Sequence, residues 1–181
     1  MESCLIYGTG GHAKVLEELA IANGYTVAAF FDDHMDENAS FRNIPVKRYN
    51  TDVYNSYPVL IGIGNNKTRK EIAARLSHRY CFMKDPSVVA GGSVSIGVGS
   101  VLLPGVVMQA DCKIGEHCII NIGSTIDHEV IVENFAHIGP MCYIGGAAYI
   151  GEGVTIGAGS IIMRNVRIAP WTEIPPNSLI Q

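Results

Sequence analysis

Four side chains in the second half of the chain are suited to moving a proton. They are Asp127, His128 and Glu129 in succession, and His137 nine residues on. An imidazole titrates near neutrality, so a histidine at such a place can take a proton from an attacking nucleophile. A carboxylate bonded to its other nitrogen fixes the tautomer and raises basicity. We pair Glu129 with His128 in that role, Asp127 being the other candidate. A second group of residues lies near the start. Gly8-Thr9-Gly10-Gly11-His12 is a glycine-rich turn whose backbone N–H groups suit a phosphate. Asp32-Asp33 and Gly64-Asn65-Asn66 supply two further polar loops.

The elements that hold these first loops read as an α/β unit. Apolar runs at Cys4–Tyr7, Val27–Phe31, Val59–Ile63 and Tyr80–Met83 predict four strands. Helical spacing follows the first over 13–20, with a stop at Asn23-Gly24, and follows the third over 67–77. The stretch from Phe41 to Tyr57, with Pro45 and many polar residues, reads mostly as loop. Strands alternating with helices predict a small Rossmann-like parallel sheet. Ligands bind at the carboxyl ends of such strands, where the three polar loops converge. Gly8, Gly10 and Ala13, with Asp32 some twenty residues on, also fit a dinucleotide fingerprint. With only some eighty residues available, half of such a ligand, a nucleoside diphosphate, is the better match.

From Ile96 onward the period is six. Ile96, Leu102, Met108, Ile114, Ile120, Ile126 and so on to Ile180 are aliphatic without a break, and small residues such as Ser100, Cys112, Cys118 and Ala136 precede them by two. Glycine often follows the large residue, as at Gly97, Gly115 and Gly139, which we read as easing the turn between strands. This period belongs to a parallel β-helix of hexapeptide repeats, with three hexads to a coil. About five coils at about 4.8 Å make a prism on the order of 24 Å long. The expected division is 1–84 for the sheet domain and 85–181 for the coil. His128 lies two residues past inward Ile126, at a corner, and His137 just before inward Ile138; we expect the two to serve one site.

Bulk properties narrow the function classes. Net charge is −4 and no Lys/Arg cluster occurs, which argues against nucleic acid. No run of eighteen apolar residues exists, and the N-terminus has no basic leader, so a cytoplasmic protein without membrane insertion is expected. The five cysteines include no C-x-x-C pair; three fall on the small inward series and read as packing residues.

Gly8–His12, Asp32-Asp33, Ile63-Gly64-Asn65-Asn66 and Asp127-His128-Glu129 through His137 together resemble the hexapeptide-repeat sugar acetyltransferases. These include sialic acid O-acetyltransferases and UDP-4-amino-4,6-dideoxysugar N-acetyltransferases of bacterial glycan synthesis, and the likeness covers both domains. It implies a left-handed coil, a nucleotide sugar on the first domain, and acetyl-CoA in a groove between adjacent coils of a homotrimer. By the same matching His128 is the catalytic base and His137 contacts acetyl-CoA. Gly10, Gly11, His12, Asp32, Asp33 and Gly64 hold the UDP-sugar, and Asn121, Gly146 and Ala158 line the coenzyme groove. No metal is implied. The acceptor atom, amine or hydroxyl, stays open. Two rivals use the same coil: a γ-carbonic-anhydrase-like metalloenzyme, with His117, His128 and His137 as the ligands to consider, and a non-catalytic trimeric binder of sugar nucleotides. The histidines do not fall in one column at eighteen-residue steps, which weighs against zinc.

Overall fold

The computed structural model describes residues 2–36, 39–52 and 54–181; Val53, within the expected loop, lies outside the described residues. The first domain runs β1 (Glu2–Tyr7), α1 (Gly11–Ala22), β2 (Tyr25–Phe31), β3 (Ser40–Phe41), β4 (Ile44–Lys47), β5 (Val59–Ile61) and α2 (Asn66–Arg75). The sheet order is β3-β4-β2-β1-β5, parallel except for the edge pair β3–β4. β3 and β4 occupy the stretch expected to be loop. Arg42 and Asn43 both take left-handed backbone, at φ 53° and 66°, which closes a two-residue hairpin. Pro45 is tolerated because β4 lies near the sheet's edge, while Val46 enters the core at 1% exposure. The expected fourth strand is reduced to one bridge between Tyr80 and Val59. Its end, Met83–Lys84, already pairs with Val101–Leu102 as a rung of the coil.

The coil is a parallel β-helix with three faces. The first face stacks Met83–Lys84, Val101–Leu102, Ile119–Ile120, His137–Ile138, Thr155–Ile156 and Glu173–Ile174. The second stacks Val89–Ala90, Val107–Met108, Thr125–Ile126, Tyr143–Ile144, Ile161–Ile162 and Leu179–Ile180; the third runs from Ser95–Ile96 to Arg167–Ile168. Each strand pairs with the one eighteen residues on, as Val107 with Thr125. The inward aliphatics from Leu102 to Ile168 are buried in one core. Each fully buried side chain of this size stabilises by about 1.5–3 kcal/mol. The small inward residues also satisfy backbone: Ser124 Oγ donates to Gly139 O at 2.7 Å, and Cys112 Sγ to Asp127 O at 2.8 Å. Cys112, Cys118 and Cys142 all lie buried in this core.

Two positions in each hexad answer to backbone demands. Every sixth residue from Gly99 to Asn177 has φ between 54° and 74°, including His117, Glu129, Phe135 and Trp171. Their N–H groups bond to the coil beneath, as Glu129 N does to Ala110 O at 2.9 Å, and this ladder holds the left-handed turn even without glycine. The glycines that follow the large residue have ordinary φ. A Cβ on Gly115 would stand 2.7 Å from Asn134 N, and one on Gly139 2.5 Å from Ile156 O. Their role is close approach of successive coils, not the turn freedom read from the sequence.

The two domains share a core. Val101, Leu103 and Ile119 of the first face are buried with Ala13, Leu16, Leu19 and Ala20 of α1. Beyond them α2 takes over with polar contacts. Asn66 donates to Gly153 O at 3.0 Å and to Thr155 Oγ1 at 3.0 Å. Arg69, 1% exposed, donates from Nε to His117 O (2.9 Å), from Nη1 to Ile63 O (3.1 Å) and Gly64 O (3.0 Å), and from Nη2 to Asn66 Oδ1 (2.7 Å) and Phe135 O (2.9 Å). Every donor of the guanidinium is used. No helix among the described residues is long and apolar enough to cross a membrane.

Candidate active site

The predicted residues fall into three groups. Gly8, Asp32 and Asp33 line a cavity of about 410 Å³ at the carboxyl ends of β1 and β2, closed by Tyr7, His34, Ile63, Thr68, Glu71, Ile72 and Arg75. Gly10 and Gly11 begin α1, with open space where a Cβ would project and no side chain capping the helix. Asp32 accepts from the Thr9 hydroxyl (2.6 Å) and the His34 N–H (3.0 Å). Asp33 accepts from the Tyr7 hydroxyl (2.8 Å) and Tyr49 N–H (2.9 Å), and pairs with Arg75 at 2.7 Å. Partial burial pushes the Asp33 carboxyl up, but these three donors outweigh it and hold it below the usual range. Asp33 therefore acts first as an anchor for Arg75. That guanidinium, half exposed above the Tyr7 and Tyr49 rings, is the cavity's one arginine and escaped the sequence reading.

The second group sits where α2 meets the first face of the coil. Gly64, Asn65, Asn66, Lys67, His137, Gly153, Thr155, Trp171 and Glu173 line a cavity of about 350 Å³. Asn65 caps α2 by accepting from Thr68 N–H at 3.0 Å. Asn121 Nδ2 lies 3.3 Å from His137 Nε2, and Ala158 lies at the edge between the first and second faces. Burial, with Arg69 nearby, lowers His137 to a pKa of about 4, against a hydrogen bond to the Gly64 backbone. His12 is lowered to about 4 by burial and by His137 and Arg69, and its Nε2 is enclosed without a partner. His117, lowered to about 4 by burial and Arg69, stacks on Phe135 at 5.2 Å.

These three imidazoles are neutral in the fold and charge more readily when released, with an ordinary value of about 6.5. The unfolded chain thus binds more protons between the two values. Stability is full above about pH 6.5 and falls as pH drops toward 4. A calorimetric series should show Tm lower at pH 5 than at pH 7.5, with uptake of about three protons on unfolding from this cluster. A Tm flat over that range would contradict buried neutral imidazoles.

The third group is at the opposite edge. His128 stands between the second and third faces, the vertex facing away from the first face that carries His137. Within one chain the two histidines therefore do not share a pocket, contrary to the expectation of one local site. The reason is the cycle of faces: nine residues carry the chain past one whole face. His117, on the far corner of the first face, is separate again, and no group of three His, Cys, Asp or Glu among the described residues converges as a metal site would need. The carboxylate that bonds the His128 ring is Asp127, whose Oδ1 lies 2.8 Å from Nδ1 and also accepts the His128 N–H at 2.7 Å. Glu129, at the left-handed corner position, is 3.9 Å from Nε2 and largely exposed. Hydrogen bonds from His128, ring and backbone, and from Tyr143 hold the Asp127 carboxyl down to about 2. Since an ionised carboxylate only accepts, Nδ1 is the donor to Asp127, and Nε2 is the ring nitrogen left free of that bond. Gly146 is the floor of this corner: a Cβ there would stand 2.5 Å from His128 Cε1.

With this geometry in view, the likenesses to known proteins become specific. A family model described as PglD N-terminal domain matches residues 3–76, and one described as bacterial transferase hexapeptide (six repeats) matches 147–181. UDP-N-acetylbacillosamine N-acetyltransferase of Bacillus subtilis (strain 168) is 33% identical over 113 residues, 57% of this chain and 52% of that protein, so the alignment spans about half the length of that relative. A histidine-to-asparagine mutant of perosamine N-acetyltransferase from Caulobacter crescentus, solved with CoA and GDP-perosamine, superposes with a TM-score of 0.90 at 28% identity, over 100% of this chain and 89% of that one. The acetyltransferase domain of PglB from Neisseria gonorrhoeae FA1090, solved with acetyl coenzyme A, is 30% identical with a TM-score of 0.76, over 96% of this chain and 93% of that one. By fold, by both domain models and by this full-length likeness, the chain belongs to the hexapeptide-repeat sugar acetyltransferase family.

Proposed function

We propose that the protein transfers an acetyl group from acetyl-CoA to the amino group of a nucleotide-activated sugar, most specifically a UDP-4-amino-4,6-dideoxysugar. The observation that carries this reading is the oriented His128, with Nδ1 held by Asp127 and a half-exposed side chain. Nε2 takes the proton that the sugar amine loses as its nitrogen attacks the thioester carbonyl. The carbon–sulfur bond then breaks, and the proton held on His128 passes to the departing thiolate. Glu129, beside Nε2, biases the imidazolium formed in that step. Gly8, Gly10, Gly11, His12, Asp32, Asp33 and Gly64, joined by Arg75, bind the nucleotide sugar, with α1's uncapped N–H groups suited to its phosphates.

A homotrimer accounts for the split between the two histidines. Most of the coil's exposed large apolar residues lie on the second face and its two edges: Val89, Tyr143, Ile161 and Leu179 on the face, Ile122 and Met141 at one edge, Met163 at the other, with Val98 and Ile131 elsewhere. Cyclic closure around that face brings the edge bearing Asn121 and Ala158, with His137 beside it, against a neighbour's edge bearing His128 and Gly146. Acetyl-CoA lies in the groove so formed.

The test is thiol release from acetyl-CoA with UDP- and GDP-linked amino sugars and hydroxyl-only sugars as acceptors, alongside the mass in solution. Release that requires a UDP-amino sugar is expected; no release with any amino sugar, or a monomer at working concentration, overturns the reading. Gly146→Ala pushes the His128 ring off its floor. We expect about a tenfold fall in kcat with Tm within about 2 °C, because the clash is with an exposed ring and not backbone. Steady-state kinetics with a thermal melt checks this.

A further inference from the structure

Tyr143 stands one rung above Thr125 on the second face, and its hydroxyl donates to Asp127 Oδ2 at 2.8 Å. The other oxygen of the same carboxylate holds His128 Nδ1 at 2.8 Å and the His128 N–H at 2.7 Å. The three side chains form a chain Tyr143–Asp127–His128 that crosses from one coil to the next. Every other outward position in this column is Val, Thr, Ile or Leu. An aromatic ring would serve an apolar face equally well without a hydroxyl.

We propose that Tyr143 is a positioning residue for acetyl transfer, pinning the Asp127 carboxylate so that His128 keeps its proton on Nδ1 and presents Nε2 to the acceptor amine. This rests on His128 being the base. The carboxylate plane of Asp127 turns about a soft terminal torsion, and at this edge water competes for its oxygens. The Tyr143 hydroxyl fixes the plane of the carboxylate from the far side. The coil repeats this reach without the histidine: Tyr149 OH donates to Glu133 Oε1 at 3.2 Å, where Asn134 follows and Arg167 covers the ring. That pair is the built-in comparison, since it has the same spacing with no imidazole to orient.

The experiment compares Tyr143→Phe, Asp127→Asn, the double variant and Tyr149→Phe with the wild-type assembly. Tyr143→Phe should lower kcat about tenfold with KM for both substrates within about twofold. In the Asp127→Asn background the same change should cost less than about twofold. Nitrogen-15 spectra of His128 should move from a single Nδ1–H tautomer toward a mixture in Tyr143→Phe, and stay unchanged in Tyr149→Phe. An equal fall in both backgrounds, an unshifted tautomer, or loss of assembly in Tyr143→Phe would overturn the proposal. Wild-type enzyme inactive toward every amino sugar, or full activity in His128→Ala, would instead sink the reading on which it rests.

Discussion

Changing His128 to alanine should lower kcat at least about a hundredfold, with the coil intact and KM for acetyl-CoA little altered. The size follows from what the residue does alone. Asp127 and Gly146 meet this one ring, Tyr143 reaches it through Asp127, and His137 of the same chain lies on a different face. Removal also creates no cavity, because the His128 side chain is 53% exposed. Its backbone carbonyl still accepts from Ala147 N–H at 2.9 Å, so the rung is undisturbed. Circular dichroism, thermal melting and steady-state kinetics on the same preparation decide the matter. Near-normal turnover in a folded variant would remove His128 from the mechanism.

Arg69→Leu is expected to produce the largest loss of stability. The guanidinium is fully enclosed, and carbonyl and amide oxygens surround it in place of a carboxylate. Burial draws its pKa down to about 10, so it remains charged at neutral pH. Leucine strands the carbonyls of His117, Phe135, Ile63 and Gly64 away from water, at a cost of about 3–5 kcal/mol in all. For a chain of this size that corresponds to roughly 6–20 °C in Tm. The first domain should become susceptible to protease before the coil does, since the junction then keeps α1's apolar contact and the Asn66 bonds but loses its five-donor clamp. The acid sensitivity should soften as well, because Arg69 contributes to holding His12, His117 and His137 neutral. A Tm within about 2 °C of wild type would show that the clamp does nothing for stability.

The coil could be read residue by residue because its physics is local and repeated. An inward Ile126 or Ile138 answers to its own hexad, and the burial of the whole series follows from a period that no helix or flat strand shares. The corner at His128 was equally legible, since counting two past Ile126 places it. What could not be counted was which edge faces what. His128 and His137 are nine residues apart, yet the path between them turns through a whole face. The docking of α2 was hidden for a different reason: Arg69 reaches His117 and Phe135, 48 and 66 residues away. One signal existed. Asn66, Arg69 and Ile72 share a helix face, and two polar residues beside the one that packs mark a face buried against something polar. The hairpin at Arg42-Asn43 escaped because Arg42 gives no sign of left-handed backbone and Asn43, which tolerates it, is a weaker sign than glycine.

A stack of near-identical rungs has no intrinsic address: slid along the axis by one coil, its walls look much the same. The contacts of Asn66 and Arg69 with the carbonyls of three successive corners, His117, Phe135 and Gly153, abolish that translational degeneracy. They make α2 a zero mark on a ruler graduated at about 4.8 Å. On the proposed reading, the height of the sugar above or below the acetyl donor is thus written into a domain junction. Because His128, His137 and Gly146 all lie between His117 and Gly153 in sequence, a coil added or removed among them would pull these contacts out of step with α2.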